Sequence, residues 1–131
     1  MKIIADTNIL VRAIVEDDLK QAKKAQKILL EASLVAITPI ALCELYWVLK
    51  RAYKITEPDI ENVIRTLTSA SNVRTDLLAI NAGLKFMNNG GDFADGVLWF
   101  LGTKLGGQTF VSFDKKAVTI LKEMNASANL L

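Results

Sequence analysis

Histidine is absent from this chain of 131 residues, and its absence excludes several classes of hydrolase. Ser-His-Asp and Cys-His catalytic sites need an imidazole base, and the usual catalytic zinc sites need histidine ligands. Any hydrolysis carried out by this chain must therefore proceed without an imidazole base and without a histidine metal ligand.

Cysteine and long hydrophobic runs are also scarce. The single cysteine, Cys43, cannot form an internal disulfide. Glu44, Lys50 and Arg51 interrupt the longest apolar stretch, so no segment has the length of a membrane span. No charged and apolar leader precedes the first predicted strand. We therefore expect a cytoplasmic protein with no membrane-spanning segment.

The overall composition is that of a folded domain with a modest positive charge. Hydrophobic residues make up 51% of the chain and charged residues 23%, and the length suits a single domain over residues 1–131. The hydrophobic fraction exceeds what a monomer needs, which indicates self-association or a partner. The net charge of +2 is too small to indicate a nucleic-acid partner by itself.

Short apolar segments alternate with helical patterns along the chain. Apolar runs predict strands at 2–5, 34–37 and 109–111, and the tail 125–131 is a further candidate edge strand. Amphipathic or apolar periodicity predicts helices at 7–15, 18–32, 39–53, 56–70, 76–88, 92–106 and 115–124. Residues 72–75 are expected to form a polar joint. This alternation predicts an α/β fold with a parallel sheet and helices on both of its faces.

Two acidic residues directly follow predicted strands. Asp6 comes after the first strand and Asp114 after the third, and ligands of parallel sheets bind at the carboxyl ends of the strands. Capping of the following helix explains either residue alone, since aspartate accepts hydrogen bonds from the first free N–H groups of a helix. Their joint placement favours a shared functional site.

Further acids occur in apolar surroundings. Glu44 lies inside an apolar helix, where a carboxylate is rare unless it is paired or bound to a metal. Asp92 and Asp95 are three residues apart at the start of another helix, where Asp92 suits an N-cap and Asp95 would face the packed side. Asp6, Glu44, Asp95 and Asp114 are therefore the candidate cluster.

A cluster made of carboxylates alone indicates a particular chemistry. Converging carboxylates repel one another unless a cation lies between them. Oxygen ligands without histidine or cysteine select Mg²⁺ or Mn²⁺, which polarise phosphoryl oxygens and activate water. The implied reaction is hydrolysis of phosphodiester bonds.

Four segments in order, "ADTNILVR", "ELYWVL", "DFADGVLW" and "VSFDKKA", resemble PIN-domain ribonucleases, and most closely the VapC-like toxins of the VapBC toxin–antitoxin family. The resemblance implies a three-layer α/β/α fold with a short, mainly parallel central sheet. It also implies an RNA substrate, Mg²⁺ or Mn²⁺ as cofactor, homodimerisation and inhibition by a small antitoxin protein. The implied catalytic and metal-binding residues are Asp6, Glu44, Asp95 and Asp114, with Thr7, Asn8, Asp92 and Ser112 in auxiliary roles.

A non-catalytic interpretation stays open beside this one. A PIN-like domain that serves as a scaffold for RNA or protein would use the same acids as helix caps. The lysines of the predicted second helix suit either a solvated helix face or contacts with RNA phosphates; they are Lys20, Lys23, Lys24 and Lys27.

The toxin interpretation also predicts a surface for the antitoxin. We expect Leu45, Trp47 and Ile60 to line an apolar groove for the antitoxin segment. Arg12, Lys50 or Arg51 would then contact RNA phosphates.

Overall fold

Parallel strand pairing organises the chain into two units. The computed structural model describes residues 1–131, and these divide into a first unit, residues 1–76, and a second unit, residues 77–131. Three strands pair in the first unit and two in the second. None of the helices combines the length and the apolar composition needed to cross a bilayer.

The first unit is a three-stranded parallel sheet with four α-helices. Its elements in chain order are β1 (Lys2–Ile4), α1 (Thr7–Val15), α2 (Leu19–Glu31), β2 (Leu34–Ala36), α3 (Pro39–Trp47), α4 (Glu57–Ser69) and β3 (Val73–Arg74). The strand order is β1-β2-β3, with Ile3 opposite Val35 and Val35 opposite Val73. A π-helical segment, Val48–Ala52, continues α3.

Two local features define the helices of the first unit. Thr38 caps α3 by accepting a hydrogen bond from the Ala41 N–H at 3.1 Å, and Pro39 occupies the first helical position, where no N–H is needed. Ala22 and Ala25 are the buried residues of α2, and these short side chains let α1 and α2 pack closely. The carboxyl end of β1 therefore leads directly into α1, which packs against α2.

The second unit is a two-stranded parallel sheet with three α-helices. Its elements are α5 (Leu77–Asn88), α6 (Phe93–Lys104), β4 (Phe110–Ser112), α7 (Lys115–Glu123) and β5 (Ala128–Leu130). Phe110 lies opposite Ala128, and Ser112 lies opposite Leu130. Buried side chains of α5 and α7, among them Phe86 and Leu121, form its core.

Glycines allow α5 and α6 to approach closely. A Cβ atom on Gly96 would lie 2.5 Å from the Cβ of Phe86 and 2.7 Å from the carbonyl oxygen of Ala82. A Cβ atom on Gly83 would meet the Phe93 ring at 2.7 Å. Real Cβ atoms essentially never come so close to their neighbours, so glycine is required at both positions. This contact holds the first turn of α6, which carries Asp95, against α5.

The predicted α/β fold class is confirmed, and several element boundaries are corrected. Residues 72–75, expected to be a polar joint, contain β3, and the strand predicted at 109–111 occupies Phe110–Ser112. The helix predicted at 39–53 ends as an α-helix at Trp47. Thr56 occupies the N-cap position of α4 but forms no side-chain capping hydrogen bond. The single domain over residues 1–131 stays a prediction.

Candidate functional site

Asp6 occupies a capping position without acting as a side-chain cap. It lies between β1 and α1 with an extended backbone, φ −70° and ψ 151°, and its backbone carbonyl accepts hydrogen bonds from the Ile9 and Leu10 N–H groups. Its side chain makes no capping hydrogen bond and is exposed. The carboxylate is therefore free to bind something outside the chain.

Glu44 is tied to the residue that follows Asp6. The hydroxyl of Thr7, which is 9% exposed, donates a hydrogen bond to Oε2 of Glu44 at 3.2 Å. This bond links the first turn of α1 to the middle of α3. Because one carboxylate oxygen accepts the bond, the Glu44 side chain is held in place while its other oxygen is left available.

The carboxylates of Asp6 and Glu44 border one open pocket of the first unit. The pocket has a volume of about 310 Å³ and is lined also by Thr7 and Thr38. Ile40, at 69% exposure, lies on its rim. The carboxyl end of β1 and one face of α3 thus present two exposed acids to solvent, with the buried Thr7 hydroxyl bonded to one of them.

Two of the acids in the second unit cap helices. Asp114 accepts a hydrogen bond from the Ala117 N–H at 3.1 Å at the start of α7, and Asp92 accepts one from the Ala94 N–H at 2.7 Å at the start of α6. The hydroxyl of Ser112 accepts a hydrogen bond from the Asp114 N–H at 2.9 Å. The turn that presents Asp114 is therefore fixed at the end of β4.

Asp95 lies in the most strongly perturbed environment of these acids. Its half-buried position raises the pKa of its carboxyl group above the ordinary value of 3.8, and the negative charges of Asp92 and Asp114 raise it further. Asp92 and Asp114 therefore lie near enough to Asp95 to disfavour its negative charge. A cation placed among them would relieve that repulsion.

The donor set fits a hard divalent cation. Both units offer carboxylate and hydroxyl oxygens, which are the ligands that Mg²⁺ and Mn²⁺ prefer, and neither candidate site includes a sulfur ligand. Within neither unit do three or more acidic or cysteine side chains come close enough together to hold a metal ion without help. An ion bound in either unit would have to complete its coordination with water or substrate oxygens.

Asn8 lies outside the acidic pocket, and the predicted antitoxin groove is not formed as expected. Asn8 lines a separate cleft beside α2 and is absent from the lining of the acidic pocket. The predicted apolar groove is wrong at two of its three residues, because Leu45 and Ile60 are completely buried and only Trp47, at 37%, is exposed. Apart from Glu44, helix α3 is apolar, so its sequence did not show which of its apolar residues are covered.

The sequence left open whether the lysines of α2 form a solvated face or contact RNA phosphates. Gln21 was not singled out, although it lies three residues before Lys24 and shares its helix face. The spacing of three residues between Gln21 and Lys24 is the sequence signal that places both side chains on one face of α2.

The comparison with known families covers nearly the whole chain. The sequence model of the family described as PIN domain matches residues 3–121, a span that takes in parts of both units. No curated protein gives a significant sequence match to the chain.

Proposed function

We propose that this chain, which belongs to the PIN-domain family, is a ribonuclease that hydrolyses phosphodiester bonds with the help of Mg²⁺ or Mn²⁺. PIN domains are generally metal-dependent nucleases, and membership of this family supports a hydrolase. The observation that carries the proposal of metal-dependent RNA cleavage is the position of the Asp6 carboxylate. It lies at the carboxyl end of β1, makes no capping bond and lines the same pocket as Glu44.

We assign four carboxylates to the reaction and four other residues to supporting roles. The catalytic and metal-binding residues proposed are Asp6, Glu44, Asp95 and Asp114, and the auxiliary ones are Thr7, Asn8, Asp92 and Ser112. When bound, a divalent cation supplies positive charge that offsets the charge developing on the phosphoryl oxygens and lowers the pKa of a water molecule. Within each unit the carboxylates would hold such an ion together with water or substrate oxygens, and in the first unit the Thr7 hydroxyl would orient Glu44.

The raised pKa of Asp95 gives this residue a distinct part in the proposal. Burial, then the charges of Asp92 and Asp114, disfavour its ionised form in the metal-free chain. A cation bound beside Asp95 would offset the repulsion from Asp92 and Asp114 and so favour the ionised form. The proposal therefore couples the ionisation of Asp95 to metal binding.

The first test is cleavage of total cellular RNA by the purified chain. We expect cleavage in Mg²⁺ or Mn²⁺ and none in excess EDTA, because no histidine or other neutral base lies among the proposed residues. Asp6→Asn and Glu44→Gln are expected to lose activity while the melting temperature changes little. Glu31→Gln serves as the matched control, since Glu31 is an exposed acid on α2 outside both acidic sites.

Two results would reverse the assignment. Cleavage that persists undiminished in chelator rules out the metal-dependent mechanism. Absence of cleavage by the wild-type chain, together with unimpaired RNA binding, favours the alternative of a non-catalytic scaffold whose acids are helix caps, as Asp92 and Asp114 are here.

We further propose that the nuclease is the toxin of a VapBC-type pair, acting in the cytoplasm as a homodimer restrained by a small antitoxin. The four ordered segments that resemble this family support the proposal. An antitoxin that places an arginine or lysine among the carboxylates would neutralise them and so block metal binding. Co-expression with the small open reading frame neighbouring the gene tests this. A neighbour that neither binds the chain nor protects cells from it removes the toxin role and leaves the nuclease.

A further inference from the structure

A second cleft of the first unit lies between α1 and α2, beside the acidic pocket. Its volume is about 550 Å³, which is in the range of ligand-binding clefts. The polar side chains that line it are Asn8, Arg12, Gln21 and Lys24, and Ile9 and Ile28 supply apolar surface. No acidic residue lines it.

The two cations of this cleft are available to an anion. Lys24 is exposed and forms no hydrogen bond or ion pair within the chain. Arg12 donates from Nη1 to Asp17 at 3.0 Å, and its side chain is 38% exposed, so its remaining guanidinium nitrogens can serve a second acceptor. One cation stands on each of the two helices that form the cleft.

The cleft begins next to Asp6. Asn8 lies in the first turn of α1, two residues after Asp6, and Arg12 follows Asn8 by four residues. At the rise of an α-helix, Arg12 lies roughly 6 Å further along the axis of α1 than Asn8. Asp6 and Asn8 are only two residues apart, so a strand with one phosphate near Asp6 is long enough to bring its neighbouring nucleotides to these side chains.

We infer that this cleft binds the segment of single-stranded RNA that adjoins the bond to be cleaved. The inference rests on the proposed nuclease function. Phosphates repeat along the strand and match the cations of Arg12 and Lys24. The amide groups of Asn8 and Gln21 both donate and accept hydrogen bonds, which suits base edges and ribose 2′-hydroxyls.

The lining favours RNA over an acidic peptide. The amide groups suit a peptide backbone as well as a base edge, so the preference for RNA rests on the positive charge of the lining and its surroundings. The exposed lysines Lys20 and Lys27 lie on α2 at helical spacing from Lys24 and extend the positive surface beyond the cleft, as a polyanion requires. The side chains of Ile9 and Ile28 offer apolar surface against which an unstacked base can pack.

The experiment compares two lysines on the same helix. Binding of a fluorescent single-stranded RNA is measured by anisotropy at several salt concentrations in EDTA, which stops metal-dependent cleavage. The variants are Lys24→Gln, inside the cleft, and Lys23→Gln, an exposed lysine of α2 that does not line it. Both remove one positive charge, so they change the net charge equally.

We expect Lys24→Gln to raise the dissociation constant several-fold and to reduce the slope of log K against log salt by about 0.7, the value for one lost phosphate contact with a single strand. Lys23→Gln is expected to bind nearly as the wild type does. Arg12→Gln should add a loss of similar size to that of Lys24→Gln.

Equal effects of Lys23→Gln and Lys24→Gln would overturn the inference, because general charge and not the cleft would then set RNA affinity. Lys24→Gln that binds RNA as the wild type does would overturn it as well and leave the cleft to an acidic peptide. A separate cleavage assay in Mg²⁺ reads the nuclease function. Loss of RNA affinity in Lys24→Gln without any cleavage by the wild type therefore identifies failure of the proposed function and not of the cleft.

Discussion

The hydroxyl of Thr7 donates a hydrogen bond to the carboxylate of Glu44 across 37 positions of sequence, at 3.2 Å. Thr7 is the buried residue directly after Asp6, and Glu44 is an exposed residue of α3. The bond therefore couples the two acids of the first unit, since the turn that places Asp6 also holds Glu44. Only one hydroxyl is involved, which makes the coupling easy to test.

Thr7→Val keeps the size and branching of the side chain but removes the hydroxyl. We expect cleavage to fall by about 10- to 100-fold, as is usual when a group that orients a metal ligand is lost, and the Mg²⁺ concentration needed for half-maximal activity to rise. Thr7→Ser keeps the hydroxyl and is expected to retain most of the activity. Equal activity of the valine variant and the wild type would show that Glu44 needs no such support.

Asp95→Asn removes a carboxyl group whose ionised form is disfavoured in the folded chain. The pKa of Asp95 is raised by burial and by Asp92 and Asp114, so the folded state binds this proton more tightly than the unfolded state does. Stability is therefore lost as the pH rises from the ordinary aspartate value through the raised pKa. In EDTA we expect the variant to melt at a higher temperature than the wild type at pH 7, with a gain that shrinks toward pH 4.

Asp17→Asn is the control of opposite sign for this measurement. The hydrogen bond from Tyr53 lowers the pKa of Asp17, and Arg12 lowers it further. Its charge therefore favours folding above the ordinary aspartate pKa, and the benefit disappears as the pH falls through the lowered value. A rise in melting temperature for both variants would point to general charge reduction and contradict the specific role of Asp95.

Asp114 allows capping and catalysis to be measured separately. Its side chain caps α7 through the Ala117 N–H, and asparagine caps helices about as well as aspartate. Asp114→Asn is expected to keep the stability of the wild type and to lose cleavage. Asp114→Ala is expected to lose cleavage and also about 0.5–2 kcal/mol of stability. Urea denaturation and RNA cleavage on the same preparations distinguish these outcomes, and an active Asp114→Asn variant would make this residue a cap alone.

Gly96→Ala tests whether α6 must approach α5 closely. The added Cβ would meet the Ala82 carbonyl oxygen at 2.7 Å, and backbone cannot move aside as a flexible side chain does. We expect a loss of about 1–3 kcal/mol, the usual range for overpacking. Gly102→Ala, in the same helix but with nothing within 4 Å of the new Cβ, is expected to gain about 0.5–1 kcal/mol from helix propensity. Denaturant midpoints of the two variants should therefore shift in opposite directions.

Helical periodicity and apolar runs were sufficient to predict most elements. The helix predicted at 7–15 is α1 with the same bounds, and the tail predicted as an edge strand contains β5. The two-residue strand β3 escaped prediction because Val73–Arg74 is too short to show alternation and pairs only through long-range contact with β2. Its pairing energy comes from the sheet, not from local propensity.

The sequence by itself determined which ligand atoms the candidate site can offer. Histidine is absent and the candidate ligands are carboxylates, two of which follow strands, so the sequence alone indicates a hard cation. Only the tertiary structure decided which of these acids use their side chains as helix caps. Asp6 and Asp114 both stand at the start of a helix, yet only Asp114 bonds to the helix N–H groups with its side chain. That difference depends on side-chain rotamers and on the groups packed nearby, which a local sequence pattern does not determine. Likewise, α3 is apolar apart from Glu44, and only packing within the first unit decides that Leu45 is buried while Glu44 is exposed and accepts the hydrogen bond from Thr7.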